Sequence, residues 1–179
     1  MKLNISLLPA RMVPLDRIRP NPLNPGRRDR GLIEGIRRDI RMHGIHAIDS
    51  VLTRPVPKDK KGCDLEFVDG ESRGIAAKLE QHKKIAARIA KMTEPEALAL
   101  MYRKKREQGE IDPFREAHLF AVQAGPGKPM TYAEVAKMYN VPVDYVESRA
   151  TLAKIPDEVR EFAAQVEKEL DEKKSPHGE

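Results

Sequence analysis

The most chemically suggestive stretch of the chain is Asp69-Gly70-Glu71-Ser72-Arg73. The run before it, Leu65 to Val68, predicts a strand, and Ala76 to Leu79 predicts a helix. The junction joins a glycine, a carboxylate and an arginine at a helix start, where backbone N–H groups lack internal partners and the helix dipole is positive. Such a place suits an anionic group, a phosphate above all. The plain alternative is a glycine-containing turn with Arg73 as a surface charge.

A second constellation lies downstream. Thr131 to Tyr139 predicts a short helix opened by the capping box Thr131-Tyr132-Ala133-Glu134. Asn140 suits a tight turn, since asparagine tolerates positive φ. Pro142 to Ala153 predicts a second helix with Val146 and Ala150 inward. This is helix-turn-helix spacing, in which the start of the second helix enters the DNA major groove. The candidate DNA-binding residues are Thr131, Val143, Asp144, Tyr145, Ser148, Arg149 and Lys154. An αα-corner used only for packing would leave the same pattern. Residues 131–155 balance Lys137, Arg149 and Lys154 against Glu134, Asp144 and Glu147, so phosphate attraction must come from elsewhere.

The charge distribution says where. Residues 1–62 carry 14 Lys/Arg against 6 Asp/Glu, residues 63–111 carry 10 against 9, and residues 112–179 carry 9 against 13. The positive field of this +5 chain thus sits in its first third, with Arg27, Arg28, Arg37, Arg38 and Arg41 as the main charges. A polyanion is the partner that such an asymmetry suits.

Other chemistries are poorly served. Cys63 is the single cysteine, so an internal disulfide or multi-cysteine zinc site is excluded, and an intracellular, cytoplasmic setting is the expectation. His43 and His46 are split by Gly44, and with Asp49 they make too few donors, so no metal site is expected. No apolar run approaches the roughly 20 residues of a membrane span, so no membrane partner is expected. No Ser/His/Asp or Walker-type arrangement is present.

The elements that must position these residues change character along the chain. A proline-punctuated start contains one short predicted strand, Leu15 to Ile18. A helix follows at 30–43, ended by Gly44. Val51 to Arg54 and Cys63 to Val68 predict strands able to pair as a hairpin, and Lys84 to Met92 allows another. From Thr93 onward the chain reads as all helix: Thr93-Glu94-Pro95-Glu96 and Asp112-Pro113 both open helices, and Pro156 opens a last one. The expected fold is α+β, a small mixed-sheet domain at 1–110 followed by an all-α domain with the helix-turn-helix at 111–179.

The order of motifs resembles the ParB family of partition proteins over about residues 12–162. The residues that carry it are Pro20-Asn21-Pro22-Leu23-Asn24-Pro25-Gly26-Arg27-Arg28, His43-Gly44-Ile45, Gly70-Glu71-Ser72-Arg73-Gly74-Ile75-Ala76-Ala77, Asp112-Pro113-Phe114-Arg115-Glu116-Ala117 and the helix-turn-helix. The resemblance implies a ParB/sulfiredoxin-like N-terminal domain, double-stranded DNA as partner, and a role in partition or regulation of a plasmid- or virus-like element. It further implies a homodimer, a partition ATPase as partner, and a CTP-like nucleotide with magnesium as cofactor. Gly70, Glu71, Arg73, Arg106, Arg27 and Arg28 are the phosphate- or nucleotide-binding candidates. Ser72 and Ile75 replace two arginines of the family signature Gly-Glu-Arg-Arg-x-Arg-Ala-Ala, with Gly74 an added oddity. The family's Glu-Asn-x-x-Arg segment aligns with Tyr102 to Arg106, where only Arg106 matches and oxygen ligands for magnesium are missing. These departures weigh against family-like CTP hydrolysis, and no catalytic residue is assigned. The family usually dimerises through a further C-terminal domain, expected here to be absent or replaced by Asp157 to Lys174. The alternative is an enzyme of the same fold acting on nucleotides or nucleic acid, a nuclease, hydrolase or kinase, with Glu71, Arg73 and Asp69 at its site.

Overall fold

The computed structural model describes residues 8–27, 29–156, 158, 159 and 165. Arg28, and the expectations placed on Asp157 to Lys174 apart from Glu158, Val159 and Gln165, lie outside the described residues. The chain divides into two compact units, Met1–Ile111 and Asp112–Glu179. The fold is α+β.

The first unit contains β1 (Arg11–Pro14), β2 (Ile18–Arg19), α1 (Arg30–His43), β3 (Val51–Pro55), β4 (Leu65–Asp69), α2 (Glu71–Leu79), β5 (Lys84–Ile89) and α3 (Glu94–Glu107). The strands form one mixed sheet in the order β1-β5-β3-β4-β2. β1 pairs antiparallel with β5, β5 parallel with β3, β3 antiparallel with β4, and β4 parallel with β2. The expected hairpin partners, β3 and β4, are neighbours.

The strand expected at Leu15 to Ile18 is instead a 3-10 turn, Leu15–Arg17, between two strands on opposite sheet edges. A single strand cannot pair with both edges. Leu15 donates its N–H to the Lys83 carbonyl beside β5, and Asp64 donates to the Arg17 carbonyl beside β4. Four residues reach about 14 Å, whereas the edges of a flat five-stranded sheet lie about 19 Å apart. The sheet therefore has to curl.

Side-chain alternation gives the sheet two buried faces. Leu65 and Phe67 point into a core with Val13, Ile18, Ile40, Val51, Ala76 and Ile85, so α1 and α2 cover that face. Leu52 and Val68 point the other way and pack with Ala90 and Ala97, so α3 covers that one. α1 starts at Asp29, whose carboxylate accepts the Leu32 N–H, and stops at Gly44, where φ is +82°. α3 opens on the capping box at Thr93, which holds the Glu96 carboxyl below its usual range through hydrogen bonds from the Thr93 backbone and hydroxyl.

The second unit contains α4 (Pro113–Gln123), α5 (Tyr132–Tyr139) and α6 (Val143–Thr151). Asp112 caps α4 by accepting the Phe114 and Arg115 N–H groups. Thr131 and Glu134 close a capping box at α5. Asn140 ends α5 with φ +54°, which turns the chain into α6. Leu119, Phe120, Val135 and Val146 are fully buried, and the Phe120 ring lies 5.5 Å from Tyr139 and 6.3 Å from Tyr145. No helix among the described residues is long and apolar enough to cross a membrane.

Candidate phosphate-binding cavity and helix-turn-helix

Segments far apart in sequence, α1, the 47–50 loop and β5 among them, converge on one cavity of about 710 Å³ in the first unit. The proline-rich segment gives Asn24, Gly26 and Arg27, the β4–α2 junction gives Asp69 to Arg73, and α3 gives Met101, Lys104, Lys105 and Gln108.

The proline-rich segment has no regular structure, so side chains must hold it. Asn21 donates to Glu66 Oε1 at 3.1 Å, and its own oxygen accepts the Leu23 N–H. Glu66 is buried, and it also accepts from Arg54 Nε and Nη2 and from Arg19 Nε. Four donors on one buried carboxylate satisfy it fully. Asn24 donates to Glu71 Oε2 at 2.8 Å and accepts the Gly26 N–H. Arg27 then donates its backbone N–H to the Glu110 carbonyl. Two asparagines three residues apart thus pin the loop to the sheet and to the first residue of α2.

Gly70 caps α2 without a side-chain hydrogen bond, at φ +85°. A Cβ there would meet Arg73 and Val51 atoms at 2.8 Å, so the junction admits only glycine comfortably. Gly74 has a different reason. Its absent Cβ would lie 2.4 Å from the Phe67 ring, which fills the space against α2. The glycine that is odd as a motif residue is a packing requirement.

Arg73 Nη1 donates to the carbonyls of Asp49 and Ser50, and Nη2 reaches Asp69 Oδ2 at 3.3 Å. Lys104 Nζ donates to the same Asp69 oxygen at 2.8 Å. Burial pushes the Asp69 carboxyl up, but the Lys104 hydrogen bond and the charges of Lys104, Arg73 and Lys105 outweigh it, so it stays below the usual range. Lys105 pairs with Glu110. Arg88 of β5 also lines the cavity, and its buried Nε has no hydrogen-bond partner among the described residues. The lining carries Arg27, Arg73, Arg88, Lys104 and Lys105 against Asp39, Asp49, Asp69, Glu71 and Glu110, a balance of charge rather than a basic pit.

Of the expected phosphate residues, Gly70, Glu71, Arg73 and Arg27 line this cavity, and Arg106 does not. Helix phase explains the difference. Met101, Lys104, Lys105 and Gln108 fall at i, i+3, i+4 and i+7 on one face of α3, whereas Tyr102 is buried in the core and Arg106 is exposed. Lys104, Lys105, Arg88 and Asn24 were missed by the sequence reading. The signal for the lysines was that spacing.

The basic helix α1 is more self-compensated than its sequence suggests. Arg37 pairs with Glu34 and Glu80, as does Arg41, while Arg38 stays exposed.

Around α5 and α6, where the sequence predicts a helix-turn-helix, Thr131, Val143, Asp144, Ser148 and Lys154 are exposed. Tyr145 and Arg149 are partly buried and tied inward to Glu116 of α4. Glu116 is 1% exposed. Its two oxygens accept the Tyr145 hydroxyl at 3.0 and 2.8 Å, and Arg149 Nε lies 2.8 Å from Oε2. Arg149 Nη2 donates to the Tyr145 oxygen, and the guanidinium sits 5.1 Å from that ring's centre. Desolvation raises the Tyr145 pKa, with the Arg149 hydrogen bond opposing and Glu116 adding to it. The sequence reading passed over Glu116, although it stands in the Asp112-Pro113-Phe114-Arg115-Glu116-Ala117 run.

No family model and no curated protein matches the chain. Solved structures do. C-terminally truncated ParB from Caulobacter crescentus complexed to the centromeric parS site is 20% identical, over 88% of this chain and 79% of that one, with a TM-score of 0.50. The same protein complexed with CTP-gamma-S is 22% identical over 88% and 86%, at 0.48. Sulfiredoxin from Arabidopsis thaliana is 17% identical over 51% and 96%, at 0.41. The first of these likenesses establishes that the chain has a ParB-like fold.

Proposed function

We propose that this chain is a DNA-binding protein of the ParB type that carries a nucleotide-sized phosphate site in its first unit, and that it serves partition or regulation of a plasmid- or virus-like element. The observation that supports the reading is the convergence of widely separated segments on one cavity, in a chain whose second unit carries the short helices α5 and α6 joined by a tight turn at Asn140. The parS-bound ParB with the same fold supports DNA as the partner.

On this reading a phosphate group sits at the start of α2. Gly70 lets it approach the backbone, first-turn N–H groups and the helix dipole receive it, and Arg73, already fixed by two carbonyls, adds a charge-assisted bond. A CTP-like nucleotide is the ligand class. In the second unit Val143, Asp144 and Ser148 face the bases, and Thr131 and Lys154 face phosphates. Tyr145 and Arg149 set the position of α6 through Glu116. Double-stranded DNA in the cytoplasm, a homodimer and a partition ATPase complete the proposal.

Selection of bound DNA from a random pool, with and without CTP, tests it. The expected result is one recurrent sequence bound with a steep salt dependence. Enrichment of no sequence by the folded protein would overturn the reading.

A further inference from the structure

The cavity's donors do not suit the magnesium that the family resemblance implies. Magnesium in a nucleotide site takes most of its near-octahedral oxygen ligands from phosphates and waters and needs one or two protein carboxylates free to coordinate it. The two carboxylates flanking Gly70 are both engaged: Asp69 by Lys104 and Arg73, and Glu71 by Asn24. A third, Glu110, is held by Lys105. Among the described residues no three His, Cys, Asp or Glu side chains gather closely enough to hold a metal ion.

The wall is balanced in charge overall, and three of its cations lie on two elements. One face of α3 directs Lys104 and Lys105 to the cavity. β5 adds Arg88, whose buried Nε lacks a hydrogen-bond partner among the described residues. An unpaired buried donor is costly and marks a place where a ligand acceptor is wanted. Lys104 is 38% exposed at its side chain and can turn from Asp69 to a ligand. Asp69 then keeps Arg73 as a partner, while Lys105 stays on Glu110 and acts on the ligand through its charge at longer range.

We infer that this cavity binds its phosphate-bearing ligand as the free polyanion, without a divalent cation, with Lys104, Lys105 and Arg88 supplying the charge that a metal would otherwise supply. The inference rests on the reading of the cavity as a nucleotide site. Magnesium in solution would only complex the ligand and lower its charge, so it should leave affinity unchanged or slightly weaken it.

Calorimetry of the full chain with CTP and with inorganic tripolyphosphate, in excess magnesium and in EDTA, tests this. Both probes should bind in EDTA, with dissociation constants within about threefold of those in magnesium. Lys104→Gln with Lys105→Gln should weaken binding in EDTA by at least about tenfold, as should Arg88→Gln, whereas Lys104→Arg with Lys105→Arg should retain it. Binding that needs magnesium by more than about tenfold overturns the inference and leaves the nucleotide reading standing. CTP binding without tripolyphosphate binding, or wild-type affinity in the folded glutamine variants, overturns it too. No binding of either probe in either buffer overturns both.

Discussion

Asp69 in the first unit and Glu116 in the second are both paired with cationic side chains, and the two arrangements differ in what they leave available. Asp69 sits in a cavity wall with Arg73 and Lys104, whose side chains keep 21% and 38% of their exposure. Glu116 sits in a helical core with Arg149 and Tyr145, and is itself sealed. At Asp69 the cations can exchange a protein oxygen for a ligand oxygen. At Glu116 it is the carboxylate that is sealed, while Arg149, 26% exposed at its side chain, reaches it from the surface. A positive residue in a candidate binding motif is therefore informative only with its counter-ion. Arg149 is paired with the buried Glu116, whereas Lys104 is paired with the partly exposed Asp69 and is itself 38% exposed.

The largest effect should come from breaking the sealed pair. Glu116→Ala leaves a partly exposed guanidinium and a tyrosine hydroxyl without their acceptor, and should destabilise the second unit by about 1–3 kcal/mol, the cost of leaving hydrogen-bonding groups without a partner. Removing Asp69 should cost the first unit about 0–1 kcal/mol, because Lys104 is 38% exposed and Arg73 keeps the Asp49 and Ser50 carbonyls as acceptors. Urea unfolding followed separately in the two units measures both. Equal losses would erase the distinction.

The junction's geometry gives the next effect. Gly74→Ala drives a methyl into the Phe67 ring and should cost about 1–3 kcal/mol. Gly35→Ala, with nothing within 4 Å of its Cβ in the same unit, should instead stabilise by about 0.4–1 kcal/mol. Thermal melts of the pair separate packing from helix propensity.

Much of this was legible in advance. Capping boxes at Thr93 and Thr131, Asp112 before Pro113, and Gly44 after an amphipathic run are local signals with local causes, and each marked a real helix end. The Leu15 turn was not legible, because only pairing with two distant strand edges decides it. The site was legible at Gly70 and Arg73, where backbone geometry and charge coincide. Arg88 and Asn24 were hidden because their roles depend on tertiary partners. Helix phase separates Arg106 from the cavity-facing side of α3, and Met101, Lys104 and Lys105 carry that phase in the sequence.

On the DNA side, Lys154 is exposed just beyond α6. Lys154→Ala should weaken binding about equally for all sequences and reduce the slope of log affinity against log salt by about 1. Fluorescence anisotropy across a salt series reads this. An unchanged slope removes Lys154 from the interface.

The smallest effect is the pH dependence of Asp69. Its folded pKa is depressed, so its ion pairs stabilise the fold above the ordinary carboxylate range. That contribution is lost as pH falls below about 4, through the lowered pKa. Urea midpoints of wild type and Asp69→Asn should converge at acid pH and separate, by less than about 1 kcal/mol, near neutrality. A gap that widens on acidification would contradict the assignment.

The comparison between the two units is tested most directly by NMR of arginine side-chain Nε–H groups, with CTP and then DNA of the selected sequence added to the full chain. The account predicts that the Arg88 and Arg73 signals move with CTP, while the Arg149 signal, held on Glu116, stays in place through both additions. An Arg149 signal that shifts with DNA while Arg88 and Arg73 ignore CTP would reverse the roles of the two units and contradict the account.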